Sequence, residues 1–259
     1  MSEARASVLQ AAAVSLRFGG LAAVHGVSFD VVQGEIFGLI GPNGAGKTTM
    51  MNIISGIYRP DSGTLLFNGE SIAGLAPHRV AQRGIARTFQ VMRPFEGMTV
   101  RENVAIGARF GRADGPKSMA AAMVKADQAL ETMELSGVAT SSVSDLTTGQ
   151  RKKLELARAL AMDPKLLLLD EVMAGLNPRE IGEVMELVRR VNGMGVTVLL
   201  IEHLMKAVMG LCSRILVLHH GASIALGTPD EVTRDESVIR AYLGDRYAAQ
   251  HAQVEEALR

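Results

Sequence analysis

The run Gly41-Pro42-Asn43-Gly44-Ala45-Gly46-Lys47-Thr48-Thr49 follows directly on the apolar stretch Ile36-Phe37-Gly38-Leu39-Ile40. Glycine, four residues, glycine, lysine and threonine, in that order, make a phosphate-binding loop between a strand and a helix. Gly41, Gly44 and Gly46 reach backbone angles that a Cβ would forbid, so the loop can wrap its N–H groups around phosphate oxygens. A helix starting near Lys47 adds its positive end to the same place. Lys47 is expected to reach the β- and γ-phosphates, and the Thr48 hydroxyl to ligate Mg²⁺. Pro42, Asn43, Ala45 and Thr49 complete the nucleotide-contacting loop. The ligand class is therefore a nucleoside triphosphate with Mg²⁺.

A second pair of groups can act on such a ligand. Leu166-Leu167-Leu168-Leu169 is a buried strand that ends in Asp170 and Glu171. Open parallel sheets place their ligands at the carboxyl ends of strands. Asp170 is expected to hold Mg²⁺ through water. Glu171 is expected to orient and deprotonate the water that attacks the γ-phosphate.

The elements that position these groups follow from the pattern of the chain. Residues 8–33 read as two or three antiparallel strands with a turn at Phe18-Gly19-Gly20. Strand 35–40, the phosphate loop and helix 47–56 come next, then strands 64–67 and 85–89, the latter ending at Gln90. From about 91 to 161 strand signals vanish and Ala, Met and charged residues recur at helical spacing. Within it, positions 119, 123, 126, 130 and 133 mark the apolar face of a helix over 119–135. Strands 166–170 and 196–201, helices 179–194 and 204–211, and a hairpin through His219-His220-Gly221-Ala222 follow. Residues 238–243 close the fold and 250–259 read as a frayed helical tail.

Composition excludes several classes. The 259 residues are 47% hydrophobic and 4% aromatic, an ordinary aliphatic core. Lys+Arg and Asp+Glu are both 27, so no basic surface points to nucleic acid. The single Cys212 precludes an intrachain disulfide, lies in an apolar stretch and is expected to be a buried, inert thiol. No apolar run reaches the roughly 18–20 residues that span a bilayer, and the first residues lack a signal peptide's apolar stretch. A cytoplasmic chain, recruited to a membrane only by others, is the expectation.

Leu146-Thr147-Thr148-Gly149-Gln150, ahead of the helical run Arg151–Leu160, resembles the Leu-Ser-Gly-Gly-Gln signature of ABC-transporter ATPases. Agreement of all three motifs carries the resemblance. It implies an α/β fold: a P-loop NTPase core with an antiparallel β subdomain and an inserted α-helical subdomain. The expected organisation is one domain over 1–259, with 1–90 as β subdomain plus phosphate-loop core, 91–161 helical, 162–245 core and 246–259 a tail. It implies that Phe18 stacks on adenine and that Gln90 touches Mg²⁺ and the attacking water and senses the membrane partner. His203 matches the switch histidine that meets the γ-phosphate, and Ala174-Gly175-Leu176-Asn177 resembles the D-loop. Catalysis would thus rest on Glu171, His203 and Gln90, and the metal on Thr48, Gln90 and Asp170. Two departures stand out: Thr147 and Thr148 replace Ser and Gly, and Val172 replaces a proline after Glu171. Thr148 adds bulk beside the phosphate, and Val172 loses proline's rigid φ.

In the family, one subunit's signature, here Thr147, Thr148, Gly149 and Gln150, closes on its partner's nucleotide. One phosphate loop and one signature per chain imply a head-to-tail dimer with a second copy or a paralogue, sandwiching two ATP molecules. Transmembrane permease subunits would be driven by it, with a periplasmic substrate-binding protein as an indirect partner. The chain would sit peripherally on the cytoplasmic face of the inner membrane. Arg17–Val24, Gly84–Gln90, Met98–Val104, Ala174–Pro178 and Arg240–Gly244 resemble the ATPases of branched-chain amino-acid importers, the first of their two paralogues most. Left open are a lipopolysaccharide-export-type ATPase, a soluble ABC ATPase of repair or translation, and a P-loop kinase. Arg87-Thr88-Phe89-Gln90 argues against the first, and the short helical segment between Gln90 and the signature argues against the second. The signature together with His203 argues against the third.

Overall fold

The structure is a computed structural model that describes residues 6–88 and 94–243. Strands β1 (Ser7–Phe18) and β2 (Leu21–Val32) form a long antiparallel hairpin. Its pleat is interrupted where Ala13 takes φ 51°, a bulge closed by the Ala13 N–H donating to Ser28 Oγ at 2.8 Å. After β3 (Ile36–Ile40) and helix α1 (Lys47–Ile54), strand β4 (Ser62–Phe67) pairs with β1, and the short β5 (Glu70–Ser71) completes a sheet ordered β2-β1-β4-β5. Helix α2 (Pro77–Gln82) starts on a proline, where the missing N–H costs nothing, and leads to β6 (Ile85–Arg87).

Between β6 and the next strand the described residues hold helices α3 (Val100–Phe110), α4 (Met119–Thr132) and α5 (Thr148–Ala161), two 3₁₀ turns and one isolated bridge. Then come β7 (Leu166–Asp170), α6 (Pro178–Gly193), β8 (Thr197–Ile201), α7 (Met205–Leu211), β9 (Arg214–His219), β10 (Ala222–Gly227), α8 (Pro229–Arg234) and α9 (Glu236–Leu243). The second sheet runs β10-β9-β3-β8-β7-β6, parallel except for β10.

Every residue of β3, β7 and β8 is buried, as strands covered on both faces must be. Their alternation splits the core in two. Phe37, Leu39, Leu166, Leu168, Leu199 and Ile201 pack toward α1 and the antiparallel sheet. Ile36, Ile40, Leu167, Leu169, Val198 and Leu200 pack toward the helices of the other face. Cys212 is buried against the same sheet, and burial pushes its thiol up to about 12, so it is the inert thiol expected.

Two features differ from the pattern-based expectation. Within α4 the buried side chains are Ala122, Ala126, Ala129 and Leu130, whereas Met119 is 44% exposed. Ala122, Ala126 and Ala129 share one core with Ala105 and Ala108 of α3, and Leu130 and Met133, both expected positions, are buried in it too. Helix α8 was not anticipated. Residues 246–259, the expected tail, lie outside the described residues. Among the described residues no helix is long and apolar enough to cross a membrane.

Candidate active site

The phosphate loop leaves β3 in a conformation only glycine tolerates. Gly41 has φ 150°, and a Cβ there would lie 2.1 Å from the Leu218 carbonyl oxygen. Gly46 has φ 102° and a Cβ would lie 2.4 Å from the Ala23 oxygen. Gly221, in the β9–β10 turn, clamps the loop from outside: its N–H donates to Ala45 O at 3.1 Å and its oxygen accepts from His25 N–H at 2.7 Å. Gly46 caps α1 without a side-chain hydrogen bond, so the first-turn N–H groups are not claimed by a cap. Thr48, exposed, and Thr49, half-buried, stand on that turn.

Lys47 is buried, 6% exposed, and its Nζ donates to Gly41 O at 2.7 Å and Pro42 O at 3.0 Å. Burial lowers its pKa, while the charges of Glu171 and then Asp170 act in the opposite direction. The lysine of the loop and both carboxylates therefore share one electrostatic environment.

Strand β7 delivers Asp170 at 3% exposure. Its N–H donates to Thr88 Oγ1 at 3.2 Å, and its Oδ2 accepts from Arg87 Nη2 at 2.9 Å. Glu171 turns out of the strand at φ 52°, a left-handed conformation rare for a residue with a Cβ, and its N–H donates to Ile201 O at 3.0 Å. That turn brings Oε1 of Glu171 to 2.8 Å from Nε2 of His203, just past β8. Beneath them Glu202 is buried and accepts the Met173 N–H at 2.9 Å. Burial raises the Glu202 pKa, and the Met173 and His203 amides partly offset this.

The loop, Asp170, Glu171 and His203 thus converge. Thr147 to Gln150 stand elsewhere, at the start of α5. Thr147 Oγ1 accepts from the Gln150 N–H at 3.2 Å and Gln150 Oε1 from the Thr147 N–H at 3.0 Å, a reciprocal cap. Thr148 is exposed and Gly149 buried, where a Cβ would lie 2.8 Å from Glu180 Oε1 of α6. Among the described residues, these four share no hydrogen bond with the phosphate loop. Phe18 is 46% exposed at the end of β1, its ring edge-on to Tyr58 at 5.3 Å, so it is no core residue. Gln90 lies outside the described residues. Val172 is buried in the core.

Three groups had no role in the motif reading. Arg87 Nη1 donates to Asn52 Oδ1 at 2.7 Å and to Ser55 Oγ at 2.9 Å, tying α1 to Asp170. Glu202 braces the segment after Glu171. Tyr242 of α9 stands near the Gly41 amide where the loop begins, and desolvation raises its pKa while that amide acts in the opposite direction.

A hard dication such as Mg²⁺ asks for oxygen donors. The exposed Thr48 hydroxyl and the buried Asp170 carboxylate supply them. The residues present fit the ion.

The profile of the ABC transporter family matches residues 24–174, and that of the branched-chain amino acid ATP-binding cassette transporter matches residues 223–248. The high-affinity branched-chain amino acid transport ATP-binding protein BraF of Pseudomonas aeruginosa is 40% identical over 250 residues, covering 92% of this chain and 98% of that protein. LivG of Escherichia coli strain K12, of the same description, is 41% identical over 242 residues, covering 89% and 95%. A solved nucleotide-free ATP-binding cassette from an ABC transporter superposes with a TM-score of 0.83 at 30% identity, covering 93% of this chain and all of that one.

Proposed function

The chain belongs to the ABC-transporter family of ATPases, and from that premise we propose that it powers a membrane importer of branched-chain or related amino acids. The observation that carries the catalytic part is the Glu171–His203 pair, 2.8 Å apart, beside the phosphate-loop lysine. The match at 223–248, far from the nucleotide motifs, carries the importer part.

Phe18 offers its exposed ring to adenine. The loop amides from Gly41 to Thr49 and the N-terminus of α1 hold the phosphates, and Lys47 shifts from its own loop carbonyls to the β- and γ-phosphate oxygens. Glu171 takes a proton from the attacking water as its oxygen bonds to the γ-phosphorus and the bond to the β-phosphate oxygen breaks. His203 holds Glu171 in place and donates toward the γ-phosphate. Thr48 and Asp170, with Gln90, would hold Mg²⁺, which neutralises phosphate charge when bound.

Gly149 and the cap of α5 serve the partner's nucleotide in a head-to-tail dimer with a second copy or paralogue, so loss of the γ-phosphate opens the pair. An apolar groove of about 350 Å³ between α2, α3 and α5, lined by Ile57, Pro77, Ile106 and Phe110, reaches Arg87 and Thr88. It suits permease loops on the cytoplasmic face of the inner membrane, with a periplasmic binding protein delivering the substrate to the permeases.

Affinity recovery of the tagged chain from native membranes tests this. A second ATPase and two permeases with a periplasmic binding-protein partner are the expected company. A jelly-roll lipid shuttle instead would replace the importer reading with a lipopolysaccharide-export one.

A further inference from the structure

Arg87 is the last residue of β6, and its side chain is 7% exposed. Parallel pairing sets Arg87 opposite Leu168, two residues before Asp170, so its side chain runs along the carboxyl ends of the strands. One nitrogen donates to Asp170 Oδ2 at 2.9 Å. The other donates to Asn52 Oδ1 at 2.7 Å and to Ser55 Oγ at 2.9 Å, on and just past the helix that starts at Lys47. A buried carboxylate stripped of its cation is costly, so Asp170 needs a positive partner at all times. Asp170 is 5% exposed at its side chain, and the Arg87 guanidinium supplies such a partner. A dication arriving at the same carboxylate meets the guanidinium charge at short range, in a medium where repulsion is weakly screened.

We propose that Arg87 is a built-in counter-cation that occupies Asp170 in the absence of metal and opposes metal binding there, so that Mg²⁺ is held firmly only when nucleotide phosphates bring compensating negative charge. The inference rests on Asp170 being the metal-binding carboxylate of the proposed ATPase site. Arg87 is a positioning residue in this scheme. It contacts the carboxylate and helix α1, which begins at Lys47, and so links the state of Asp170 to that of the phosphate-loop helix.

The test uses the full chain with ADP, so no hydrolysis intervenes. Isothermal titration of Mg²⁺ into ADP-saturated protein gives the half-saturating Mg²⁺ concentration. Arg87→Gln keeps a donor for Asn52 but removes the charge, and the half-saturating concentration is expected to fall by about fivefold or more. An equal or higher value overturns the inference. Asp170→Asn separates the two failures. If it leaves the Mg²⁺ dependence of the wild type intact, the metal reading of the site fails; if it weakens Mg²⁺ while Arg87→Gln changes nothing, only the Arg87 inference fails. Should Arg87→Gln not fold by circular dichroism, the Arg87 Nε–H resonance of the wild type, assigned by its loss in Arg87→Lys, replaces it. Mg²⁺ with ADP is expected to shift that signal where ADP with a chelator does not, and identical spectra overturn the inference.

Discussion

Glu171 and His203 stand 2.8 Å apart because Glu171 leaves β7 in a left-handed turn that its N–H fixes to Ile201 O, two residues before the histidine. The conformation is strained for a residue with a Cβ, and the neighbouring strand holds it there.

Glu171→Gln keeps the shape and the contact to His203 but cannot take a proton. ATP hydrolysis is expected to fall by about 10²–10⁴-fold with nucleotide binding retained, since this is the span a positioned base contributes. Phosphate release and equilibrium binding of ATP, measured on one preparation, check both halves. Hydrolysis near the wild-type rate would remove Glu171 from the role.

Gly41 and Gly44 have different reasons to be glycine. A Cβ at Gly41 runs into Leu218 O, whereas Gly44 at φ 77° has no atom within 4 Å of one. Gly41→Ala is expected to unseat the loop and abolish nucleotide binding. Gly44→Ala carries only left-handed strain of about 1 kcal/mol and keeps binding within a few-fold. Thermal melts with and without ATP separate the two; equal effects would mean that the Leu218 contact is not what fixes the loop.

These contrasts also mark what the sequence disclosed. The loop, β7 with its two acids, and β3 and β8 were legible because glycine, lysine and unbroken aliphatic runs have few other uses. The Asn52–Ser55–Arg87–Asp170 network was not, because its members are far apart in the chain and meet only through the sheet order β3-β8-β7-β6. Arg87 was visible in a family-like run but carried no role until its neighbours were known. On α4 the expected face held at Ala126, Leu130 and Met133 and failed at Met119, which lies at the exposed start of the helix. Phe18 was legible as a ring at a turn, and its exposure required the fold.

Glu202 gives a pH dependence with a definite sign. Its folded pKa is raised, chiefly by burial, so the native state binds its proton more tightly than the unfolded chain does. The stability it contributes is complete below the unfolded value of 4.5 and is lost as pH rises from there through the raised folded value. Glu202→Gln keeps an acceptor for the Met173 N–H and does not ionise. The stability of wild type relative to this variant is therefore expected to decline as pH rises above about 4.5. Urea unfolding of both chains at several pH values checks it, and a difference that grows with pH contradicts the assignment.

Helix α8 went unanticipated although its start carries a legible sign. Thr228 precedes Pro229, and Glu231 stands three residues on. In the structure Glu231 Oε2 accepts from the Thr228 N–H at 2.7 Å while Thr228 Oγ1 accepts from the Glu231 N–H at 3.4 Å, a capping box ahead of an N1 proline. The signal is short, six residues of helix, which periodicity cannot detect but capping chemistry can. Thr228→Ala removes the hydroxyl half of the cap and is expected to cost about 1 kcal/mol, or roughly 2–4 °C in Tm for a chain of this size. ATP binding should be unchanged, because the cap lies among α8, α9 and β10 rather than at the phosphate loop. An unchanged Tm would show that tertiary packing around the buried Val232 holds α8 without its cap.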